Sequence, residues 1–248
     1  MLHLEGKVNV LAAIEARRRR IQVVLVKHDL AADKSDEVLR AAEAANVPVK
    51  RVAGAELNAM AHGISHGGVM AIVMPMERWT GEHLLNHLRE SSKPPLLLML
   101  EGVDDARNLG FTIRTAEACG CDALMIKKHL WDFDETEVAR ASSGAIERLP
   151  MVQFDQIELL NDLKKLGIRV VGCLAGARRT IFNTNLKRPT LLMIGGEKRG
   201  LSGAARQIAD RFVTIPSVGG ASSLSLSHAG AIVMGEALRQ RQPKPLDV

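Results

Sequence analysis

The chain has 248 residues, 46% of them hydrophobic and 25% charged, enough for one large or two small domains with cores of their own. Only 3% are aromatic and none is Tyr, which argues against a stacking platform for single-stranded bases, and three Cys are too few for a disulfide framework. A net charge of +5 and a pI near 9.3 favour a polyanionic partner. MLHLEGKVNV has no basic-then-apolar leader pattern and no run reaches the length of a membrane span, so the expectation is a cytoplasmic protein with reduced thiols.

In chain order, residues 1–75 alternate helix and strand patterns. The spacing predicts helices over 8–19, 34–45 and 55–61, with strands at 22–26, 47–52 and 69–74. The segment 76–95 is polar and ends in Ser-Ser-Lys-Pro-Pro; it reads as a linker holding a helical turn or two. From 96 onward the strand patterns LLLML, DALMI, MVQF, RVVGCL, TLLMI and FVTIP recur with helices between them, and a last helix is expected over 224–239. That alternation predicts an α/β domain with a parallel sheet covered on both faces. The expected division is therefore a small α/β domain at 1–75, a linker at 76–95 and a second domain at 96–248.

Basic residues fall in six short clusters rather than one tail: Arg17, Arg18, Arg19 and Arg20, then Lys50-Arg51, Lys127-Lys128, Arg178-Arg179, Lys187-Arg188 and Lys198-Arg199. Any one alone reads as a solvated surface. Six near predicted element ends predict a folded basic face.

Open parallel sheets bind ligands at the carboxyl ends of their strands, which directs attention to the loops after Leu100, Leu174, Ile194 and Ile215. Three of these are unusual: EGVDDARNLGFTIRTAEACG at 101–120, GGEKRGLS at 195–202, and SVGGASS, which runs from Ser217 into a small-residue helix. Gly195, Gly196 and Gly200 taken singly read as turn chemistry. Three such loops in one sheet predict a shared site built from backbone groups. EGVDDARNLG is not the dinucleotide fingerprint, and GGEKRGLS lacks the Gly-Lys-Ser/Thr ending of a P-loop. His83 and His87 stand four apart, but Leu-Leu-Asn between them supplies no catalytic Glu, so they read as solvated and no metal is expected. Ser227-His228 has no nucleophile elbow around it.

Taken together, the three loops resemble the three motifs of the SpoU branch of the SPOUT RNA 2′-O-methyltransferases. Asn108, Gly110 and Arg114-Thr115-Ala116 match the first, Gly195, Glu197 and Gly200 the second, and Ile215-Pro216 with Ser223-Leu224 the third. The resemblance covers 96 to about 242. Residues 1–75, with EGKVNVLAAI and HGGVMAIV, more loosely resemble the ribosomal-protein-like substrate domain of that family. The resemblance implies a trefoil knot near the C-terminus, with S-adenosylmethionine held by Leu174, Gly195, Glu197, Gly200, Ile215 and Leu224, and no metal.

It further implies methyl transfer to a ribose 2′-hydroxyl, with Arg114 essential and Asn108, Glu197 and Ser223 supporting it. Arg114 either takes the hydroxyl proton, awkward for a guanidinium that stays charged, or grips a phosphate and positions the hydroxyl. Glu197 has the alternative reading of a helix-start carboxylate. The implied partners are structured RNA and a second copy of the chain. Large-subunit ribosomal RNA at a guanosine is favoured over tRNA, with Arg17, Arg18, Arg19, Arg20 and Arg114 as RNA contacts. The second reading is a non-catalytic RNA-binding protein that keeps the fold. One departure stands out: the family's Ser-Leu-Asn is here Ser223-Leu224-Ser225.

Overall fold

A computed structural model describes residues 2–62, 66–103, 105–127, 133–219 and 224–242. It divides into two compact units, Met1–Glu77 with Phe133–Arg148, and Arg78–Asp132 with Leu149–Val248.

The first unit opens with β1 (Leu2–Glu5), α1 (Lys7–Ala16), β2 (Ile21–Lys27), α2 (Ala32–Ala44), β3 (Val49–Val52), α3 (Gly54–Met60) and β4 (Val69–Val73). Its sheet runs β1-β4-β2-β3. β4 pairs antiparallel with β1 and β2, and β2 pairs parallel with β3. Val10, Ile14, Val24, Val26, Val38, Leu57 and Met70 are buried in its interior. α1 stops before the predicted 19: Arg17 takes a left-handed conformation (φ 53°) and its N–H caps Ala13. The strand β1 was missed, since four residues carry too little alternation.

The second unit begins with α4 (Gly81–Glu90), β5 (Leu96–Glu101), α5 (Ala106–Ala118) and β6 (Ala123–Lys127). Half of the expected linker, 76–95, is therefore a ten-residue helix. Thr80 caps it by accepting from the His83 N–H, and Leu84 and Leu88, one turn apart, are buried. Polar composition hid this two-residue apolar stripe.

The chain then contributes α6 (Glu135–Ser142) and α7 (Ala145–Arg148) to the first unit before returning. This differs from the expected boundary, and the reason is tertiary. The Thr136 hydroxyl donates to the His3 carbonyl (3.1 Å). Gly144 turns at φ +79°, and a Cβ there would strike Ala12 of α1. The remaining elements, all in the second unit, are β7 (Met151–Phe154), α8 (Leu159–Lys165), β8 (Arg169–Cys173), β9 (Thr190–Gly195), α9 (Gly203–Ile208), β10 (Arg211–Val213) and α10 (Leu226–Arg241).

All six strands of the second sheet are parallel, in the order β10-β8-β9-β5-β6-β7. Every residue of β5 is buried, as the apolar run 96–100 in a sheet covered on both faces requires, with Glu101 closing it. Because the strands are parallel and β10, β8, β9 and β5 are consecutive, the four loops singled out from the sequence leave one edge of one sheet side by side.

Candidate active site

Two of these loops touch through bare backbone. After β9 the chain turns back on itself, with the Gly200 N–H donating to the Gly196 carbonyl (2.8 Å) and Gly200 at φ +60°. A Cβ on Gly195 would fall on the Gly200 backbone, and one on Gly196 on the Gly102 carbonyl in the loop after β5. No side chain fits at either position. Glu101, buried at the end of β5, locks the turn: its carboxylate accepts from the Ser202 N–H (2.8 Å) and hydroxyl (3.0 Å) and pairs with Lys127 (3.1 Å).

The helix α5 starts at the same edge. Asp105 is its N-cap, accepting from the Asn108 N–H (2.7 Å) and the Asn108 side-chain amide (2.8 Å). This fixes the amide so that Asn108 Oδ1 accepts from the Ser227 hydroxyl of α10 (2.9 Å). Glu197 reaches the same helix, taking the N–H of Leu226, its first residue (3.2 Å). It thus meets one orphan donor of a helix start, as the carboxylate reading foresaw, while belonging to the glycine turn. Ser225 caps α10, accepting from the His228 N–H, and its hydroxyl also lies in short contact with His228 Nδ1.

Beside these contacts is a cavity of about 560 Å³, within the ordinary size range of small-molecule sites. Leu174 and Cys173 of the β8 end line it, with Gly195, Gly196, Glu197 and Gly200 of the β9 turn, Ile215 and Pro216 after β10, and Leu224 and Ala229 by α10. Burial pushes the Cys173 thiol up to about 12, so it stays protonated as part of an apolar wall. Among the described residues of this unit, no three His, Cys, Asp or Glu side chains converge as metal ligands do.

A sequence profile of the SpoU rRNA methylase family matches residues 95–235, the span that builds this site. The chain belongs to the SpoU family. A profile described as RNA 2′-O ribose methyltransferase substrate binding matches residues 3–79. The 23S rRNA (guanosine-2′-O-)-methyltransferase RlmB of Pseudomonas putida is 32% identical over 237 residues, 95% of this chain and 95% of its own. RlmB of Pseudomonas aeruginosa is 37% identical over 199 residues, 79% of each chain. The solved SpoU methyltransferase AviRb from Streptomyces viridochromogenes in complex with the cofactor AdoMet has a TM-score of 0.79 at 26% identity, covering 97% of this chain and 90% of that one.

In this SpoU chain the six residues assigned to a cofactor, Leu174, Gly195, Glu197, Gly200, Ile215 and Leu224, all line the one cavity. Asn108 and Glu197 converge on the start of α10. Arg114 is exposed on α5 and is not among the lining residues. Ser223 lies outside the described residues.

The four-arginine cluster needs a correction. The Arg19 side chain is fully buried, held to Glu147 (2.9 Å) and Glu135 (2.6 Å), with Nη1 donating to the Met74 carbonyl (3.4 Å). A guanidinium so enclosed is not a phosphate contact. Arg18 is half-buried, while Arg17 and Arg20 are exposed. Sequence reasoning also missed Glu101, Asp105, Ser202 and Ser227. Asp105 had a readable signal, since a carboxylate three residues before Asn108 at a loop-to-helix step is a capping pattern. Ser227 had none, because its partner lies 119 residues away.

Proposed function

We propose that this protein is an S-adenosylmethionine-dependent RNA 2′-O-methyltransferase acting on a guanosine of large-subunit ribosomal RNA. The observation that carries it is one cavity lined by the segments after β8, β9 and β10, with Asn108 of the first motif tied to the helix beside it, α10, through Ser227. The end-to-end likeness to the RlmB proteins supports the choice of substrate. The residues present fit the cofactor. Leu174, Ile194, Ile215 and Leu224 give apolar walls for a flat heteroaromatic ring, and the glycine turn leaves backbone groups open to its polar edge. When bound, S-adenosylmethionine supplies an electrophilic methyl on a sulfonium.

The chain's own residues supply orientation. Asp105 and Ser227 hold Asn108, and Glu197 clamps the glycine turn to α10. Arg114, a permanently charged two-pronged donor, grips the phosphate next to the target ribose and sets the 2′-hydroxyl in line with the methyl. Ser223 is assigned the role of donor to the substrate phosphate or to the catalytic loop.

The segment after β10 is threaded as a trefoil knot. The small-residue face of α10, with exposed Phe111 on α5 and Leu224, serves a homodimer in which Arg114 completes the site. The first unit, residues 1–75 in its main part, binds RNA in the cytoplasm, with Arg17 and Arg20 making phosphate contacts. No helix among the described residues is long and apolar enough to cross a membrane. Transfer of a labelled methyl group to 23S ribosomal RNA and tRNA transcripts tests the reading. Ribose labelling of a guanosine in the ribosomal RNA is expected. RNA binding with no transfer to either transcript would establish the non-catalytic reading instead.

A further inference from the structure

The first unit holds a second cluster of chemistry that methyl transfer does not use. The strand β1 places His3 and Glu5 on one side of the sheet, two residues apart. His62, just past the end of α3, comes down on them. The Glu5 side chain is 1% exposed, that of His3 17% and that of His62 42%.

One oxygen of Glu5 is crowded by nitrogen. Its Oε1 accepts from the His62 backbone N–H (2.8 Å) and lies 3.1 Å from His62 Nδ1 and 3.4 Å from His3 Nε2. The other oxygen is buried with no hydrogen bond, and so is His3 Nε2. Arg140 Nη1 lies 3.9 Å from Oε2, beyond hydrogen-bond reach. A buried carboxylate held only by hydrogen bonds spreads donors over both oxygens. Here a carboxylate oxygen and a ring nitrogen, both strong metal donors, are enclosed together with their lone pairs unclaimed.

We propose that His3, Glu5 and His62 bind a divalent transition-metal ion of the zinc class. One ligand atom from each residue lies within 4.8 Å of the other two. Ligands about 2.0–2.2 Å from a tetrahedral zinc ion sit about 3.3 Å from one another; Glu5 Oε1, which keeps a second lone pair beside the His62 N–H, is 3.1 Å from His62 Nδ1 and 3.4 Å from His3 Nε2. Two imidazoles and one carboxylate are the donor set of zinc, cobalt and nickel sites rather than of calcium or magnesium.

An independent feature points the same way. His62 Nε2 lies 3.5 Å from the Asp134 carboxylate. A metal-bound histidine commonly gives its other ring N–H to a carboxylate, which fixes the tautomer and raises its basicity. The ligands come from β1 and the end of α3, and the supporting carboxylate from the segment that returns to this unit before α6. Such an ion pins three separated pieces of one unit and acts as a structural metal, apart from the methyl-transfer site.

The test uses tag-free full-length protein, stripped with a chelator and titrated with Zn(II) and, separately, Co(II). One ion per chain is expected, with visible Co(II) absorption of a low-coordinate site and a Zn(II)-dependent rise in Tm. H3A and H62A should each abolish the Co(II) band and the Tm rise. D134N should weaken binding about 10- to 100-fold while leaving the stoichiometry at one. Absence of uptake by the wild-type chain would overturn the proposal. So would uptake that survives the H3A/H62A double variant, or that is lost instead on H87A, which would place the ion on α4.

Discussion

The two units use their interiors in opposite ways. In the second, the inside of the parallel sheet is mainly apolar, its buried Glu101 sits at a strand end, and the chemistry lies at the rim, built from glycine backbone and a few short side chains. In the first, charge is inside: Arg19 between Glu147 and Glu135, and Glu5 among His3, His62 and Arg140. Backbone-built sites fail by steric intrusion and leave the fold standing. Charge-built cores fail by unpairing and take the fold with them. Substitutions of similar size should therefore affect binding in one unit and stability in the other.

The largest expected effect on the rim is from G196A. Its methyl group meets the Gly102 carbonyl, so the two loops must separate. Overpacking of this kind costs about 1–3 kcal/mol. Titration calorimetry should show S-adenosylmethionine affinity reduced at least about tenfold, in a protein that remains folded. Unchanged affinity would mean that the touching loops do not shape the cavity.

In the first unit, R19M removes the guanidinium that pairs with buried Glu147 and partly buried Glu135. Breaking a buried pair from one side costs about 3–5 kcal/mol, and chemical denaturation should show that loss while the cavity still takes cofactor. A pH series sharpens the comparison. Burial pushes the Glu147 carboxyl up to about 7 from an ordinary 4.5, with Arg19 opposing. A carboxyl that holds its proton longer when folded contributes stability at low pH, and that contribution is lost as pH rises from 4.5 towards 7. E147Q should flatten that stretch of the stability curve; an unchanged slope would place the titrating group elsewhere.

These differences also explain what could be read from the sequence. The glycine turn and the apolar strands were legible because backbone chemistry leaves local marks: Gly where no Cβ fits, and unbroken apolar runs where both sheet faces are covered; Asn108 was legible only through the resemblance to the SpoU motifs. Arg19 was not legible. Four consecutive arginines look alike until Glu147, 128 residues away, selects one of them. The grouping of 133–148 with the first unit is of the same kind, resting on contacts such as Thr136 to His3. Helix α4 was hidden by its polar surface, with only Leu84 and Leu88 to betray its buried side.

The smallest effect is expected at the departure from the family pattern. Ser225 caps α10, and Asn serves that position equally well. S225A should cost about 1 kcal/mol, the scale of one neutral hydrogen bond at the site, or about fivefold in rate, in single-turnover methyl transfer. S225N should restore or exceed the starting rate. A wild-type chain that gains turnover only on S225N would mark this member as non-catalytic.

The central claim is that the cavity binds the cofactor while Arg114, outside its lining, organises transfer. Single-turnover methyl transfer by R114A with cofactor pre-bound tests it most directly. The account predicts S-adenosylmethionine affinity within about twofold of wild type and a transfer rate lower by about 100- to 1,000-fold, the scale for losing one positioned polar group at a reacting centre. An R114A protein that transfers methyl at the wild-type rate would contradict it.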